Sequence, residues 1–113
     1  MGCIFCQIVA GELPGDIVYR DDEILAFRDV NPQAPVHLLV IPRKHIASLV
    51  EVGEEDTPLM GRLVGVANKL ARKEGIAKGG YRLVINCGQQ GGQLVPHLHV
   101  HLLGGRQLSG RLG

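Results

Sequence analysis

The sequence predicts an α+β protein with a mainly antiparallel β-sheet, one long helix and a short N-terminal helix. Short apolar runs of strand length lie both before and after a single segment with helical periodicity. Strands on both sides of one long helix favour this class over a regular alternation of strands and helices. A length of 113 residues with 45% hydrophobic content fits one compact domain over residues 1–113.

Three elements are expected before the long helix. Residues 3–9 carry apolar side chains at helical spacing and predict the short N-terminal helix. Residues 17–19 and 24–27 flank a charged stretch, which indicates two short strands joined by a tight turn. Residues 36–41 form a strongly apolar strand closed by Pro42, and this strand should be central in the sheet.

The long helix is expected to begin at Thr57, as N-cap, with Pro58 at the first helical position, and to end at Gly75. One apolar stripe runs along it and should pack on the sheet. The stripe consists of Leu59, Leu63, Val66, Ala67 and Leu70.

After the helix, residues 81–86 and 98–103 predict two further strands. Between them, residues 87–93 are rich in glycine and predict a flexible loop. Such loops are common connections between strands, so this one is weak evidence of function by itself.

Charge and composition exclude several classes of partner. The net charge of +1, from 12 basic and 11 acidic residues, provides no broad basic face, so no polymeric nucleic acid is expected. There is no membrane-spanning run and no signal-peptide pattern, which predicts a cytoplasmic protein without a membrane partner. Three cysteines do not resemble a disulfide framework, so metal binding or simple burial is expected.

The most informative motif is the run from His97 to Leu103, in which His97, His99 and His101 alternate with apolar residues. Alternate side chains of a strand share a face, so the three imidazoles should line one surface while the apolar side chains enter the core. A single histidine is most often structural, whereas three in strict alternation indicate chemistry. We therefore interpret this run as a catalytic strand.

Two chemistries fit a row of three imidazoles. The histidines can share a catalytic zinc, because positions i and i+2 of a strand reach one metal. Alternatively, the middle histidine attacks phosphorus as a neutral nucleophile, and water then releases the phosphoryl group. The glycine-rich loop directly upstream favours a phosphate site.

Nearly the whole chain resembles the histidine triad (HIT) family, in its Hint-type branch of phosphoramidate hydrolases. The matching segments are the triad itself, Ile4-Phe5, Ala26-Phe27-Arg28-Asp29, Pro32-Gln33-Ala34-Pro35-Val36-His37, Val40-Ile41-Pro42, Gly80-Tyr81-Arg82, Gly91-Gly92-Gln93 and Leu103-Gly104-Gly105-Arg106. The resemblance implies a HIT-like fold and a homodimer whose two sheets join. It also implies binding of a purine nucleoside monophosphate or phosphoramidate, and cleavage of a phosphorus–nitrogen bond through a covalent nucleotidyl-histidine intermediate.

By this resemblance His99 is the nucleophile, His101 donates to the phosphate, and Gln93 lies near the scissile phosphorus or leaving group. The main-chain carbonyl of His97 is expected to hold the tautomer of His99. Asp29 would accept from the two ribose hydroxyls, although its place before Asn31-Pro32 also fits a turn residue. The remaining positions implied for the nucleotide site are Phe5, Ile8, Phe27, Val30, Leu39, Asn86, Gly92, Leu94 and Val95.

Leu94 departs from the family pattern, which usually has serine after Gly-Gly-Gln. The hydroxyl of that serine donates to the phosphate, so one side-chain hydrogen bond is absent here. Leu94 therefore leaves a nucleotide-binding interaction module with vestigial activity as an alternative to the phosphoramidase. A dinucleoside polyphosphate hydrolase with the same nucleophile is the alternative among enzymes.

Cys3 and Cys6 have the spacing that lets two thiolates hold one metal, although two ligands alone are a weak signal. Some bacterial members of the family complete such a site with residues that match His45 and His97 here, which implies a closed, structural zinc site. The alternative is that the two cysteines are buried thiols and His45 is a surface residue. Cys87 is interpreted as an ordinary small residue, and no organic cofactor is expected.

Overall fold

The computed structural model describes residues 3–112. The helices and strands in this part of the chain are α1 (Ile4–Val9), β1 (Ile17–Arg20), β2 (Ile24–Arg28), β3 (Val36–Pro42), α2 (Thr57–Lys73), β4 (Tyr81–Val84) and β5 (Val100–Gly104). Two short 3-10 turns, Leu49–Glu51 and Glu54–Asp56, precede α2. The predicted α+β class, with one long and one short helix, is confirmed. A single domain over residues 1–113 stays a prediction, and residues 1, 2 and 113 lie outside the described part.

The five strands form one sheet in the order β1-β2-β3-β5-β4, with every neighbouring pair antiparallel. Strand β3 is the middle strand, as its strongly apolar sequence predicts. The predicted hairpin of β1 and β2 is also present. Its turn is closed by the Asp21 carboxylate, which accepts hydrogen bonds from the backbone N–H groups of Glu23 and Ile24.

Alternation along the strands gives the sheet two different faces. On one face, Leu38, Val40, Val100 and Leu102 are buried with the apolar stripe of α2. On the opposite face, a smaller apolar cluster joins α1 to the sheet. It consists of Phe5, Leu25, Phe27, Leu39 and Ile41. Because odd-numbered residues of β3 and β5 point to this second face, His37 and His101 lie there beside the cluster.

The N-cap of α2 differs from the prediction. Asp56, and not Thr57, occupies the N-cap, and Thr57 is already helical with φ −57° and ψ −44°. The chain enters the helix directly from the 3-10 turn that ends at Asp56. The Asp56 carboxylate accepts from Lys44 Nζ at 2.8 Å and from the Gly53 N–H at 3.1 Å, which anchors this entry to the segment after β3. The helix ends at Lys73, and Gly75 follows with a φ of 78°, a left-handed conformation that favours glycine.

Strand β5 begins later than predicted, at Val100, so His97 and His99 precede the regular strand. The ladder with β3 ends where Val40 faces Val100, because Pro42 has no N–H to continue it. Instead, the N–H of Leu98 donates to the Ile46 carbonyl at 2.7 Å. Strand β4 correspondingly ends at Val84 and does not extend to Asn86.

Neither helix in residues 3–112 combines the length and the apolar character that crossing a bilayer requires.

Candidate functional site

A cavity of about 760 Å³ opens on the face of the sheet that carries α1. Ten predicted nucleotide-binding residues line it: Phe5, Ile8, Phe27, Asp29, Val30, Leu39, Asn86, Gly92, Leu94 and Val95. His99 and His101 lie in the same wall. The volume is typical of a site for a small organic ligand. The structure therefore places an apolar pocket directly beside two imidazoles.

His99 is held in one tautomer by the main chain. Its Nδ1 lies 2.6 Å from the carbonyl oxygen of His97, so Nδ1–H donates and Nε2 carries a free lone pair. Phe5 packs on the His99 ring with centroids 5.2 Å apart and an interplanar angle of 86°. The hydrogen bond and the packed ring fix the orientation of an unprotonated nitrogen at the cavity wall, which is the arrangement a nitrogen nucleophile requires.

His101 lies next to His99, with ring centroids 4.9 Å apart. Burial lowers the pKa of His101 to about 4, and the neighbouring His99 and His37 rings act in the same direction. The imidazole is therefore neutral near pH 7 and can donate from only one of its nitrogens.

The ring of His97 points away from this cavity, although its carbonyl serves His99. The ring is fully buried, and its Nε2–H donates to the Pro42 carbonyl at 2.8 Å. This hydrogen bond leaves Nδ1 unprotonated and directed at Cys3 and Cys6. Side chain and main chain of His97 thus belong to different sites.

Gln93 is engaged with the backbone. Its amide nitrogen donates to the Ala47 and Val95 carbonyls, at 2.8 and 2.9 Å, and its amide oxygen accepts from the Gly88 N–H at 2.9 Å. Gln93 is not among the residues that line the cavity. In this conformation it fixes the glycine-rich loop to the segment after β3.

The loop is closely packed at Gly91. A Cβ at this position would lie 2.3 Å from the carbonyl oxygen of Cys87, which is a backbone atom and cannot rotate away. Asn86 donates from Nδ2 to the Gly91 carbonyl at 2.8 Å. The close approach of Gly91 to the Cys87 backbone therefore requires glycine at this position. The hydrogen bond from Asn86 holds the same residue from the other side.

The carboxylate of Asp29 has two environments. Oδ1 accepts from the Asn31 N–H at 2.8 Å, as expected for a turn residue. Oδ2 lies 3.3 Å from His37 Nε2, and the side chain lines the cavity. Asp29 is therefore both a turn residue and part of the cavity wall, because the hydrogen bond of the turn fixes the position of its carboxylate there.

Two side chains of the cavity wall are almost fully exposed: Val30 at 89% and Leu94 at 91%. Leu94 presents an apolar side chain at the cavity wall.

A group of four potential metal-ligating side chains lies behind the triad. Cys3, Cys6, His45 and His97 each offer one atom, and these atoms all lie within 4.8 Å of one another, close enough to hold a metal ion. Cys3 Sγ is 3.3 Å and Cys6 Sγ 3.5 Å from His97 Nδ1, and the Nδ1 atoms of His45 and His97 are 3.3 Å apart. A tetrahedral site with Zn–S of about 2.3 Å and Zn–N of about 2.05 Å has ligands about 3.3 to 3.8 Å apart. The donor set therefore fits zinc.

Asp29, His37 and His101 form a similar group but do not fit a metal. His37 Nε2 and His101 Nδ1 are 2.9 Å apart, which is a hydrogen-bond distance and shorter than the separation of two zinc ligands. His37 Nδ1 already accepts from the Gln33 N–H at 3.0 Å, so Nε2 carries the proton in the neutral ring.

Sequence reasoning assigned no role to His37, although it lies beside the triad. The available signal was its position on β3, where a polar residue stands among buried apolar residues. Asp16 and Arg28 were also not predicted. They line the cavity and form an ion pair at 3.5 Å, while Arg28 makes two hydrogen bonds of 3.1 Å to Glu74. Single charged residues of this kind have no sequence signature.

The HIT domain family model matches residues 10–108. The chain belongs to the HIT family. The purine nucleoside phosphoramidase of Escherichia coli (strain K12) is 51% identical over 105 residues, which cover 93% of this chain and 88% of that protein. An uncharacterised HIT-like protein of Synechococcus elongatus is 56% identical over 106 residues, covering 94% of this chain and 92% of that protein.

Solved HIT structures agree with the fold. The crystal structure of a HIT family hydrolase from Legionella pneumophila Philadelphia 1 has a TM-score of 0.97 and 51% identity, covering 99% of this chain and all of that one. A histidine triad protein from Clostridium difficile has a TM-score of 0.94 and 44% identity, covering 97% of this chain and 96% of that one. The family predicted from the sequence is confirmed.

Proposed function

We propose that this HIT protein hydrolyses purine nucleoside 5′-phosphoramidates to the nucleoside monophosphate and an amine. The observation that carries the proposal is the free Nε2 lone pair of His99, fixed by the 2.6 Å hydrogen bond from its Nδ1 to the His97 carbonyl. The identity to a protein named purine nucleoside phosphoramidase supports the choice of substrate.

In the first step, the Nε2 lone pair of His99 forms a bond to the α-phosphorus, and the bond from phosphorus to the amine breaks. The amine nitrogen keeps the bonding electron pair and takes up one proton from water. A water molecule then attacks phosphorus, loses a proton to solvent, and displaces Nε2, which recovers its lone pair. The sum is hydrolysis of one phosphorus–nitrogen bond through a nucleotidyl-histidine intermediate.

The other residues of the cavity are assigned to binding. The apolar side chains Phe5, Ile8, Phe27, Val30 and Leu39 would enclose the purine. Asp29 would accept from the ribose hydroxyls, and Asn86 would lie beside the ribose and phosphate.

The phosphate would be bound by donors close to His99. His101 would donate from its imidazole, and the backbone of Leu94 and Val95 would add N–H donors at this end of the cavity. Gly92 would form the wall beside them, because its own N–H already donates to the Gln89 carbonyl. Gln93 would act by holding this loop, since its amide is already hydrogen-bonded.

The decisive experiment is to mix the enzyme with an adenosine phosphoramidate, quench rapidly and search by mass spectrometry for an adduct on His99. We expect an adduct that forms before product is released. The His99→Gly variant should bind AMP, as measured by calorimetry, but show no turnover. An unmodified His99 during turnover, or a variant that keeps its rate, would overturn the assignment.

Leu94 is the observation that favours a second candidate, a nucleotide-binding interaction module. Without a side-chain hydroxyl at this point, binding can persist while cleavage is vestigial. Tight AMP binding with negligible single-turnover cleavage would support that alternative. A dinucleoside polyphosphate hydrolase would be recognised by a higher kcat/KM on diadenosine polyphosphate than on the phosphoramidate.

We further propose that Cys3, Cys6, His45 and His97 hold a structural zinc ion. When bound, zinc would be saturated by four protein ligands, so it would have no open position for water and would join the N-terminal segment to the active-site segment. Metal analysis should find about one zinc per chain in the wild type and none in a Cys3→Ser/Cys6→Ser double variant. Equal metal content in both proteins would reject the site.

We also propose a cytoplasmic homodimer. Cys3 and Cys6 lie where a metal would hold them as thiolates, and thiolates persist in a reducing compartment such as the cytoplasm.

The proposed dimer would form at an edge of the sheet. Of the two edge strands, β1 carries a register shift that hinders pairing with another strand, so β4 is the edge expected to join the partner's sheet. Sedimentation equilibrium at micromolar concentration tests this, and a monomer would contradict it.

A further inference from the structure

His37 lies on β3 beside the triad and is buried. Its ring lies 5.2 Å from the ring of His101, and its Nε2 lies 2.9 Å from His101 Nδ1. The two residues stand diagonally across the ladder of β3 and β5, where Leu39 faces His101. A hydrogen bond therefore joins a histidine outside the triad to the last histidine within it.

The direction of this hydrogen bond follows from the backbone. The N–H of Gln33 can only donate, and it lies 3.0 Å from His37 Nδ1, which must therefore accept. In the neutral ring the proton is then on Nε2, which donates to His101 Nδ1. Since His101 Nδ1 accepts, the proton of the neutral His101 is on its Nε2, at the ring edge away from His37.

We propose that His37 is a positioning residue that holds His101 as a neutral imidazole with an Nε2–H group available to the phosphate. The effect of His37 on catalysis rests on the proposed function, whereas the hydrogen bonds that hold the two imidazoles do not depend on it. The adjacent His99 is held in the opposite tautomer, with the proton on Nδ1. The site thus places one imidazole that attacks and one that donates side by side.

Several charged or titratable groups surround this pair. Asp29 Oδ2 lies 3.3 Å from His37 Nε2 and is the group that favours an added proton. The His99 ring faces His101 from the same strand segment, and Arg82 and Arg106 line a cavity with both histidines, from β4 and from the C-terminal segment. The positive charges of Arg82 and Arg106, and that of His99 when it is protonated, oppose the addition of a second proton to either imidazole. Burial acts in the same direction, because it lowers the pKa of both His37 and His101.

The experiment is nitrogen NMR of protein labelled with ¹⁵N-histidine, between about pH 5 and pH 8. In the wild type, His101 should have a protonated Nε2 and an unprotonated Nδ1 throughout this range. In His37→Leu, nothing donates to His101 Nδ1, so His101 should become a mixture of tautomers and titrate closer to the usual value of about 6.5. In His37→Gln, the side-chain amide can donate to Nδ1, and the wild-type pattern should return.

The Nδ1–H of His99 provides the control for an intact site, because it depends on the His97 carbonyl and not on His37. If His99 is unchanged and His101 in His37→Leu also keeps its tautomer and titration, the inference is overturned. A wild-type His101 protonated on Nδ1 would overturn it as well.

The kinetic consequence is measured on an adenosine phosphoramidate. His37→Leu should lower kcat by about 10- to 100-fold with little change in KM, as for loss of a donor to a charged group, and His37→Gln should restore most of it. A wild type without turnover would refute the proposed function, whereas the NMR result would still decide the role of His37.

Discussion

Removal of the proposed zinc should lower the melting temperature of the protein by a predictable amount. The four ligand atoms bring α1, the segment after β3 and the active-site segment together, so unfolding separates them. A metal that binds only the folded chain stabilises it by RT ln(1 + [Zn]/Kd), about 2.7 kcal/mol when free zinc is 100-fold above Kd.

The size of the shift follows from the chain length. With 113 residues and an unfolding entropy of about 2.1 cal/mol/K per residue, the total is about 240 cal/mol/K. A stabilisation of about 2.7 kcal/mol then corresponds to about 11 °C.

The assay is differential scanning calorimetry of the wild type in buffered excess zinc and in a strong chelator. The Cys3→Ser/Cys6→Ser variant should melt at one temperature in both buffers. Cys87→Ser is the matched control, because it removes a cysteine outside the ligand group and should keep the full zinc response. A wild-type melting temperature that is equal with zinc and with chelator would refute the reasoning.

Three further predictions concern the loop and the hairpin. Leu94→Ser restores a hydroxyl donor to a charged phosphate, so the Kd for AMP by calorimetry should fall about 10- to 100-fold, and an unchanged Kd would contradict this. Gly91→Ala should weaken AMP binding because its Cβ meets a carbonyl oxygen, whereas Gly110→Ala, with nothing within 4 Å, should not. Hydrogen bonding, first of all from Arg62, lowers the pKa of Asp21, so its stabilisation is present above its unfolded pKa of about 3.9 and lost as pH falls. Asp21→Asn should therefore cost about 1 kcal/mol at pH 7 and progressively less as the pH falls below about 3.9. Urea titrations that give an equal difference at pH 7 and at pH values below about 3 would disprove this.

Local pattern was sufficient to predict the fold class, the central place of β3 and the extent of α2 within a few residues. Apolar periodicity reflects which face is buried, and that holds before any partner is known. The errors lie at element ends, where distant groups decide. Asp56 replaces Thr57 as N-cap because a 3-10 turn precedes it, and β5 starts late because the Leu98 N–H donates to Ile46.

The residues around the cavity were largely named from the sequence, and the resemblance also gave the His97 carbonyl as the partner of His99 Nδ1. Alternation places His99 and His101 on one face, but no local pattern indicates which nitrogen of His101 carries its proton. That position depends on His37, which lies 64 residues before His101. A lone histidine in a buried strand carries no pattern of its own, so its contacts become visible only in three dimensions.

The divided position of His97 makes the two sites separable by mutation. Its ring faces Cys3, Cys6 and His45, the other residues of the proposed metal site, whereas its carbonyl accepts from His99. Every amino acid has a carbonyl, so a substitution at position 97 can remove one proposed metal ligand without deleting the acceptor for His99. In evolution, the proposed metal site can therefore be gained or lost through side chains while the His99 imidazole keeps its main-chain partner.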